Sequence, residues 1–202
     1  MIAVGLTGSI AMGKSETAKI FRSLGIEVFD SDAEVHRQYQ KGGAAVKAIA
    51  GLFPETIVEG AVDRKRLSKR VLGDPEAMKR LEAAVHPIVR KSQDAFLERC
   101  RASGKAIAVL DIPLLFETGR ETEVDAVVVV SAPSEVQRQR VVGRPGMTME
   151  KLDLILARQV PDAEKRARAD YVVDTSGGVD SAAAQVRAIV TGLLQKDKSS
   201  RP

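Results

Sequence analysis

The chain has 202 residues, 44% of them apolar and only 3% aromatic, with a net charge of +4 and a single cysteine, Cys100. That is enough apolar material for one sizeable core with an insertion, while the composition excludes an intrachain disulfide and argues against a stacking platform for nucleic acid. The mild basic excess suits a small anionic ligand, and with no apolar run of membrane-spanning length and no signal peptide a cytoplasmic protein is expected.

"IAVGL" (2–6) is the first predicted strand. Directly after it, "GSIAMGKS" (8–15) fits G-x-x-x-x-G-K-[ST] between a strand and a helix, the context in which this pattern cradles phosphate. Gly8 and Gly13 are expected to let the backbone curl so that successive N–H groups face one anion, with the helix N-terminus adding partial positive charge. Lys14 is expected to reach the β- and γ-phosphates and Ser15 to offer its hydroxyl to Mg²⁺. Gly8, Ala11, Met12, Gly13, Lys14, Ser15 and Glu16 are therefore the expected nucleotide contacts. The pattern alone does not separate a kinase from an ATPase or a GTPase.

"GIEVFD" (25–30) reads as the second strand and runs into "FDSDAEVH" (29–36). Ser31 and Glu34 have capping-box spacing, which predicts a helix starting at Asp32. Asp32 then sits in a first turn, where the helix dipole favours its charged form. Ligands of parallel sheets lie beyond the carboxyl ends of the strands. Asp32 is thus the candidate general base for an acceptor hydroxyl, with Asp30 holding the turn. A turn that only caps a helix would account for Ser31 and Glu34 without requiring Asp32. His36, one turn further on, is either a substrate contact or a plain surface histidine.

Residues 32–104 show no convincing strand and several helical stretches, which predicts a helical insertion. In "GDPEAMKRL" (73–81), Asp74 is a predicted N-cap and Pro75 occupies the first helical position. Pro87 is expected to kink or break the pattern at His86, a residue read as structural, and Cys100 as a packing residue of a later helix. "AIAVLDI" (106–112) and "DAVVVVS" (125–131) are the third and fourth strands. Asp111 ends the third, either as a Mg²⁺-organising acid or as a capping or salt-bridging residue. After the fourth, "SAPSEVQRQR" (131–140) lacks the N/T-K-x-D base-reading motif of GTPases, which favours ATP.

Residues 134–160 form a second, polar helical insertion, with Ser134 and Gln137 spaced as a capping box. Arg140 and Arg144 fall at i, i+4 on one predicted helix face, where like charges repel unless an anion lies between them. A lid closing on phosphates explains that spacing, as against a solvated face; Arg138 and Arg158 are weaker candidates. "DYVVD" (170–174) is the fifth strand. Val186, Ile189, Val190, Leu193 and Leu194 then mark one face of a last helix, and "KDKSSRP" (196–202) is expected to be disordered. Continuous apolar strands alternating with helices predict an α/β fold, a five-stranded parallel sheet covered on both faces. The predicted core comprises 1–31 and 105–202, the helical insertion 32–104.

The stretches "VGLTGSIAMGKS", "LGIEVFDSDAEVH", "LEAAVHPIVR", "LDIPLLFE" and the run from "QRQRVVGR" to "LARQVPDAEKRARADYVVDTSG" resemble, in this order and over about residues 1–178, the dephospho-CoA kinase family. The resemblance implies a P-loop kinase core, a helical domain holding the CoA moiety, a lid, and transfer of the ATP γ-phosphate to the ribose 3′-hydroxyl of dephospho-CoA. By position, Asp32 would be the base, Lys14 and Ser15 would hold ATP and Mg²⁺, Arg140 and Arg144 would belong to the lid, and Thr7 and His36 would lie near the acceptor. Its partners would be these two small molecules, without nucleic acid or membrane, and a monomer is the expected state. The chain departs from the family's usual loop at Ser9, Ala11 and Glu16, which stand for Gly, Gly and Thr, and Pro145 follows the lid arginine where an acid is common. A positive φ at Ala11 would cost roughly 1 kcal/mol, and Glu16 sets a carboxylate near the nucleotide. The alternatives are another small-molecule P-loop kinase, such as a nucleoside monophosphate kinase, or a nucleotide-binding switch without turnover.

Overall fold

The structure, a computed structural model, describes residues 1–199. In chain order, β1 (Ile2–Thr7) leads to α1 (Lys14–Ser23), β2 (Glu27–Asp30), α2 (Ser31–Gln38) and α3 (Ala44–Leu52). A short hairpin, β3 (Ile57–Val58) and β4 (Ala61–Val62), precedes α4 (Arg64–Val71) and the long α5 (Pro75–Ala102). Then come β5 (Ile107–Asp111), β6 (Ala126–Ser131), α6 (Ser134–Val142), α7 (Met149–Leu156), α8 (Asp162–Arg168), β7 (Tyr171–Asp174) and α9 (Gly178–Ser199).

Five strands form one sheet in the order β2-β5-β1-β6-β7. The β1 ladders to both neighbours are parallel, pairing Val4 with Val109 on one side and with Ala126 on the other, and β6 pairs β7 in the same sense. Every residue of β5 and β6 is buried, which is why both read as unbroken apolar runs. Val4, Leu6, Phe21, Val109, Val128 and Val186 share one core cluster with Ile189 and Leu193, so α9 packs through the face its periodicity marks. This central position of β1 puts the loop that follows it in the middle of the sheet's carboxyl edge.

The chain divides into two compact units, residues 1–29 with 99–202, and residues 30–98. Within the second, Ala77, Leu81, Val85 and Val89 form a buried stripe at four-residue spacing along α5. Phe53 and Ile49 are fully buried, with the guanidinium groups of Arg70 and Arg80 lying 5.4 and 5.5 Å from the Phe53 ring centre.

Several local expectations need correction. Helix α2 starts at Ser31, and its N-cap is Asp30, whose Oδ1 accepts the Ala33 N–H at 2.9 Å. Asp30 is still extended, as an N-cap must be, whereas Ser31 is already helical and its buried hydroxyl has no partner among the described residues. Glu34 does not reach back to the cap; it binds Arg37 and Gln38. At α6 the N-cap is Pro133, with no side-chain cap, and Gln137 is used elsewhere. Asp74 does cap α5, accepting from Ala77 N–H at 2.9 Å. That helix runs through Pro87 without ending, because the proline and His86 lie on its exposed side while Val85 and Val89 are buried on the other. His86 is therefore a surface residue.

The hairpin contradicts the reading of 32–104 as strand-free. Its two-residue strands are too short to show alternation, and Glu59 and Gly60, at φ 51° and 81°, supply its turn. Of the tail expected to be disordered, the part up to Ser199 continues α9, and 200–202 lie outside the described residues. Cys100 is buried, as a packing residue should be.

Candidate active site

The loop between β1 and α1 is shaped by two glycines for different reasons. Gly8 serves close approach and not curvature: a Cβ there would lie 2.5 Å from the Val130 carbonyl oxygen of β6. Gly13 supplies the curl. It is the N-cap of α1 at φ 96° and contributes no capping side chain, so the first N–H groups of the helix are left for a ligand. Between them Ala11 sits at φ 63°, the left-handed region, at a cost of about 1 kcal/mol for an L-residue.

The strained turn is gripped from three sides. Gln137 Nε2 of α6 donates to the Ile10 carbonyl at 2.7 Å, and the Ile10 N–H donates to Gln159 Oε1 at 3.2 Å. The Thr175 hydroxyl, just after β7, donates to the Met12 carbonyl at 2.8 Å. Arg140 in turn donates to the hydroxyl and to the carbonyl of Thr175, both at 2.8 Å. Neither Gln137, Gln159 nor Thr175 was singled out by the sequence reading as a contact of the loop. Periodicity gives no signal for a polar side chain that turns inward, and Gln137 was assigned to a cap.

Lys14 opens α1, and its ammonium pairs with the Asp111 carboxylate at the end of β5. The pair is mostly out of solvent, with side-chain exposures of 17% and 5%. This gives Asp111 the salt-bridging role that the sequence left beside Mg²⁺ organisation. Ser15, the next residue of the helix, is exposed. A hydroxyl, a carboxylate, water and phosphate oxygens are the donor set Mg²⁺ takes in such sites, where a dedicated cage of several carboxylates is not needed. The residues present therefore fit the ion.

Beside the loop, a cleft of about 350 Å³ is lined by Ala11, Gly13, Glu16, Arg140, Arg144 and Val179, among others, close to the lower size for a small-molecule site. Its lining also includes the apolar Ile20 and Ala182. Glu16 Oε1 accepts from Lys19 at 2.7 Å on the exposed side of α1, so its charge is compensated locally. Arg140 and Arg144 both reach this cleft, but they do not share a helix face. Helix α6 ends at Val142 with Gly143 as C-cap, and Arg144 stands in the following turn, exposed. Arg138 and Arg158 are exposed as well.

Thr7 is fully buried and donates its hydroxyl to the Pro113 carbonyl at 3.2 Å. Asp32 and His36 belong to the unit of residues 30–98. Asp32 lies in the first turn of α2, is exposed, and has no hydrogen-bond or ion-pair partner among the described residues. His36 is exposed one turn later, its Nε2 3.3 Å from Gln40 Nε2.

A relative from Mesorhizobium japonicum, a dephospho-CoA kinase, is 59% identical over 96% of this chain and 97% of its own length. A solved structure from Thermus thermophilus matches with a TM-score of 0.83 at 37% identity, covering 95% of this chain and 96% of that one. A Campylobacter jejuni dephospho-CoA kinase has the same fold, with a TM-score of 0.66 at 24% identity over 95% and 96% of the two chains. With the dephospho-CoA kinase family model matching residues 2–181, this chain belongs to the dephospho-CoA kinase family.

Proposed function

We infer that the chain phosphorylates dephospho-CoA at the expense of ATP, the last step of coenzyme A synthesis. The observation that carries this reading is the phosphate loop, with its free helix N-terminus and its Lys14–Asp111 pair, in a chain of this family. ATP lies with its phosphates on the loop N–H groups of residues 8–16 and its base toward the cleft beside Arg140 and Arg144. Ser15 and Asp111 would hold Mg²⁺, which when bound neutralises phosphate charge. Lys14 leaves Asp111 in part to follow the γ-phosphate, and Arg144, exposed beyond α6, adds positive charge as a lid residue.

In the transfer, the ribose 3′-oxygen attacks the γ-phosphorus, the bond from that phosphorus to the β–γ bridging oxygen breaks, and ADP leaves. The hydroxyl proton goes to Asp32. Its support is its place just past the carboxyl end of β2, in the first turn of α2, with an exposed and uncommitted carboxylate. His36, on the next turn, contacts the acceptor; Thr7, buried and bound to the Pro113 carbonyl, ends β1 next to the loop. Residues 30–98 serve as the acceptor-binding unit and 134–160 as the lid. We place the enzyme in the cytoplasm as a monomer; no helix among the described residues is long and apolar enough to cross a membrane.

A coupled assay of ADP release with ATP and a panel of dephospho-CoA, AMP, CMP and pantetheine tests the reading. Release with dephospho-CoA alone is expected. Release with AMP or CMP instead makes the chain a nucleoside monophosphate kinase, and silence with every acceptor makes it a switch.

A further inference from the structure

Helix α8 carries an ammonium group that the proposed chemistry does not use. Lys165 is 0% exposed, and its Nζ lies 2.8 Å from Glu117 Oε1, an ion pair that lacks hydrogen-bond alignment. Burying such a pair is expensive, and an apolar pair of similar volume would fold at least as well. What the carboxylate does there follows from its second contact. Glu117 Oε1 accepts the Val160 N–H at 2.9 Å. Val160 directly follows Gln159, the residue whose side chain receives the Ile10 N–H of the phosphate loop.

The chain of contacts thus runs from Glu117 through the 159–160 turn to Ile10, one residue before the strained Ala11. It starts in the segment that leaves β5, six residues after Asp111, the partner of Lys14. One short stretch, 111–117, therefore governs both the loop lysine and the grip on the loop's tip. Asp162, the first residue of α8, fixes the helix at its other contact by accepting the Ser131 hydroxyl at 2.7 Å at the end of β6. A carboxylate accepts an N–H more strongly than a neutral group does, and at this largely enclosed position, with 12% of its side chain exposed, a cation against it offsets the desolvation.

We propose that Glu117, compensated by Lys165, is a positioning residue for phosphoryl transfer, acting through Val160 and Gln159 to hold the phosphate loop at Ile10. This rests on the kinase reading above. Five proteins test it: wild type, Gln159→Ala, the paired change Glu117→Ala with Lys165→Met, which leaves no lone buried charge, the combination of all three substitutions, and a second pair, Glu117→Gln with Lys165→Met. Melting temperature, kcat, the KM for dephospho-CoA and, by calorimetry, the affinity for ADP are measured on each. Gln159→Ala and the paired change are each expected to lower kcat by roughly 10- to 100-fold and to weaken ADP binding, with KM for the acceptor unchanged. The combination should be no worse than the larger of the two, since both cut one chain of contacts. Glu117→Gln with Lys165→Met keeps an acceptor oxygen for Val160 and should restore ADP affinity. Multiplying effects overturn the proposal. So does a lower melting temperature with kcat and ADP affinity unchanged, or an ADP affinity that the Gln/Met pair fails to restore. If the paired Ala variant does not fold, Gln159→Ala decides alone: unaltered kcat and ADP affinity overturn it. A wild type silent with dephospho-CoA sinks the kinase reading instead, and the ADP affinities still judge the positioning role.

Discussion

Lys14 and Asp32 differ in what removing them should cost. On the motif alone, Lys14 serves the phosphates, and its loss would cost activity only. Its pairing with Asp111, itself 4% exposed, changes that expectation. Lys14→Ala should abolish phosphoryl transfer and also lower stability, by about 1–3 kcal/mol, because a buried carboxylate loses its cation. Denaturant titration beside the ADP-release assay checks both; an unaltered unfolding midpoint would mean that the pair contributes nothing. Asp32→Asn should leave ADP affinity and melting temperature near wild type, since the carboxylate is exposed and Asp30, not Asp32, caps α2. Transfer should fall by roughly 10²–10⁴-fold, the usual worth of a positioned base. Retention of most activity returns Asp32 to a charged turn. The packing role of Cys100 was legible in the sequence, and the left-handed backbone that the loop motif raised as a condition at Ala11 is met. What the loop leans on was not legible: Gln137, Gln159 and Thr175 act through inward hydrogen bonds from segments more than 120 residues away in the chain.

At the scale of elements, the long strands and α9 were visible because burial on both faces, or on one helical face, writes itself into apolar spacing. Caps were less legible. S-x-x-E at 31–34 competes with a strand-ending Asp30 one residue earlier, and the residue with extended backbone at the junction wins. An i, i+4 reading put Arg140 and Arg144 on one face, yet Gly143 stops the helix between them and leaves Arg144 outside it. Arg140 holds the Thr175 backbone and hydroxyl, and through that hydroxyl the Met12 carbonyl. Arg140→Ala should therefore destabilise the protein, by about 1.5–3 kcal/mol for charge-assisted hydrogen bonds lost, and weaken ADP binding with it. Arg144→Ala should leave stability unchanged and lower kcat by roughly 10²-fold, as expected for a charge that meets phosphate only in the transition state. Melting curves and kcat for the two variants separate the roles. If Arg144→Ala changes neither quantity, Arg144 is a solvated surface residue; if Arg140→Ala leaves the melting temperature untouched, the brace at Thr175 is not supporting the loop.

For the whole molecule, alternation of strand and helix made the α/β class legible, and residues 30–98 form a compact unit of their own. Short-range polar order inside that unit was hidden, and it makes one contribution to the acid sensitivity of the fold. Glu34 is nearly buried, and its pKa is lowered from 4.5 to about 2. The main cause is the Arg37 guanidinium, which donates from Nε at 2.8 Å and from Nη2 at 2.6 Å; burial acts in the opposite direction, and Gln38 and Ser92 add to the lowering. Gln38 passes the order on, since its Nε2 binds Glu34 and its Oε1 accepts the Ala44 N–H at the start of α3. Because the folded pKa lies below the unfolded one, the unfolded chain binds the proton first. The contribution is then complete above about pH 4.5 and is lost as the pH falls toward 2. Its size is about 2 kcal/mol after allowance for solvent around the exposed Arg37. The rising positive charge of the whole chain also destabilises it in acid, so the wild-type curve alone does not isolate Glu34. Glu34→Gln does: at pH 7 it should be less stable than wild type by that amount, and between pH 4.5 and 2 the two stabilities should converge. Urea unfolding at half-unit pH steps measures the gap directly. A gap of the same size at pH 7 and at pH 2 would mean that Glu34 acts through shape and neutral hydrogen bonds, with no part played by its charge.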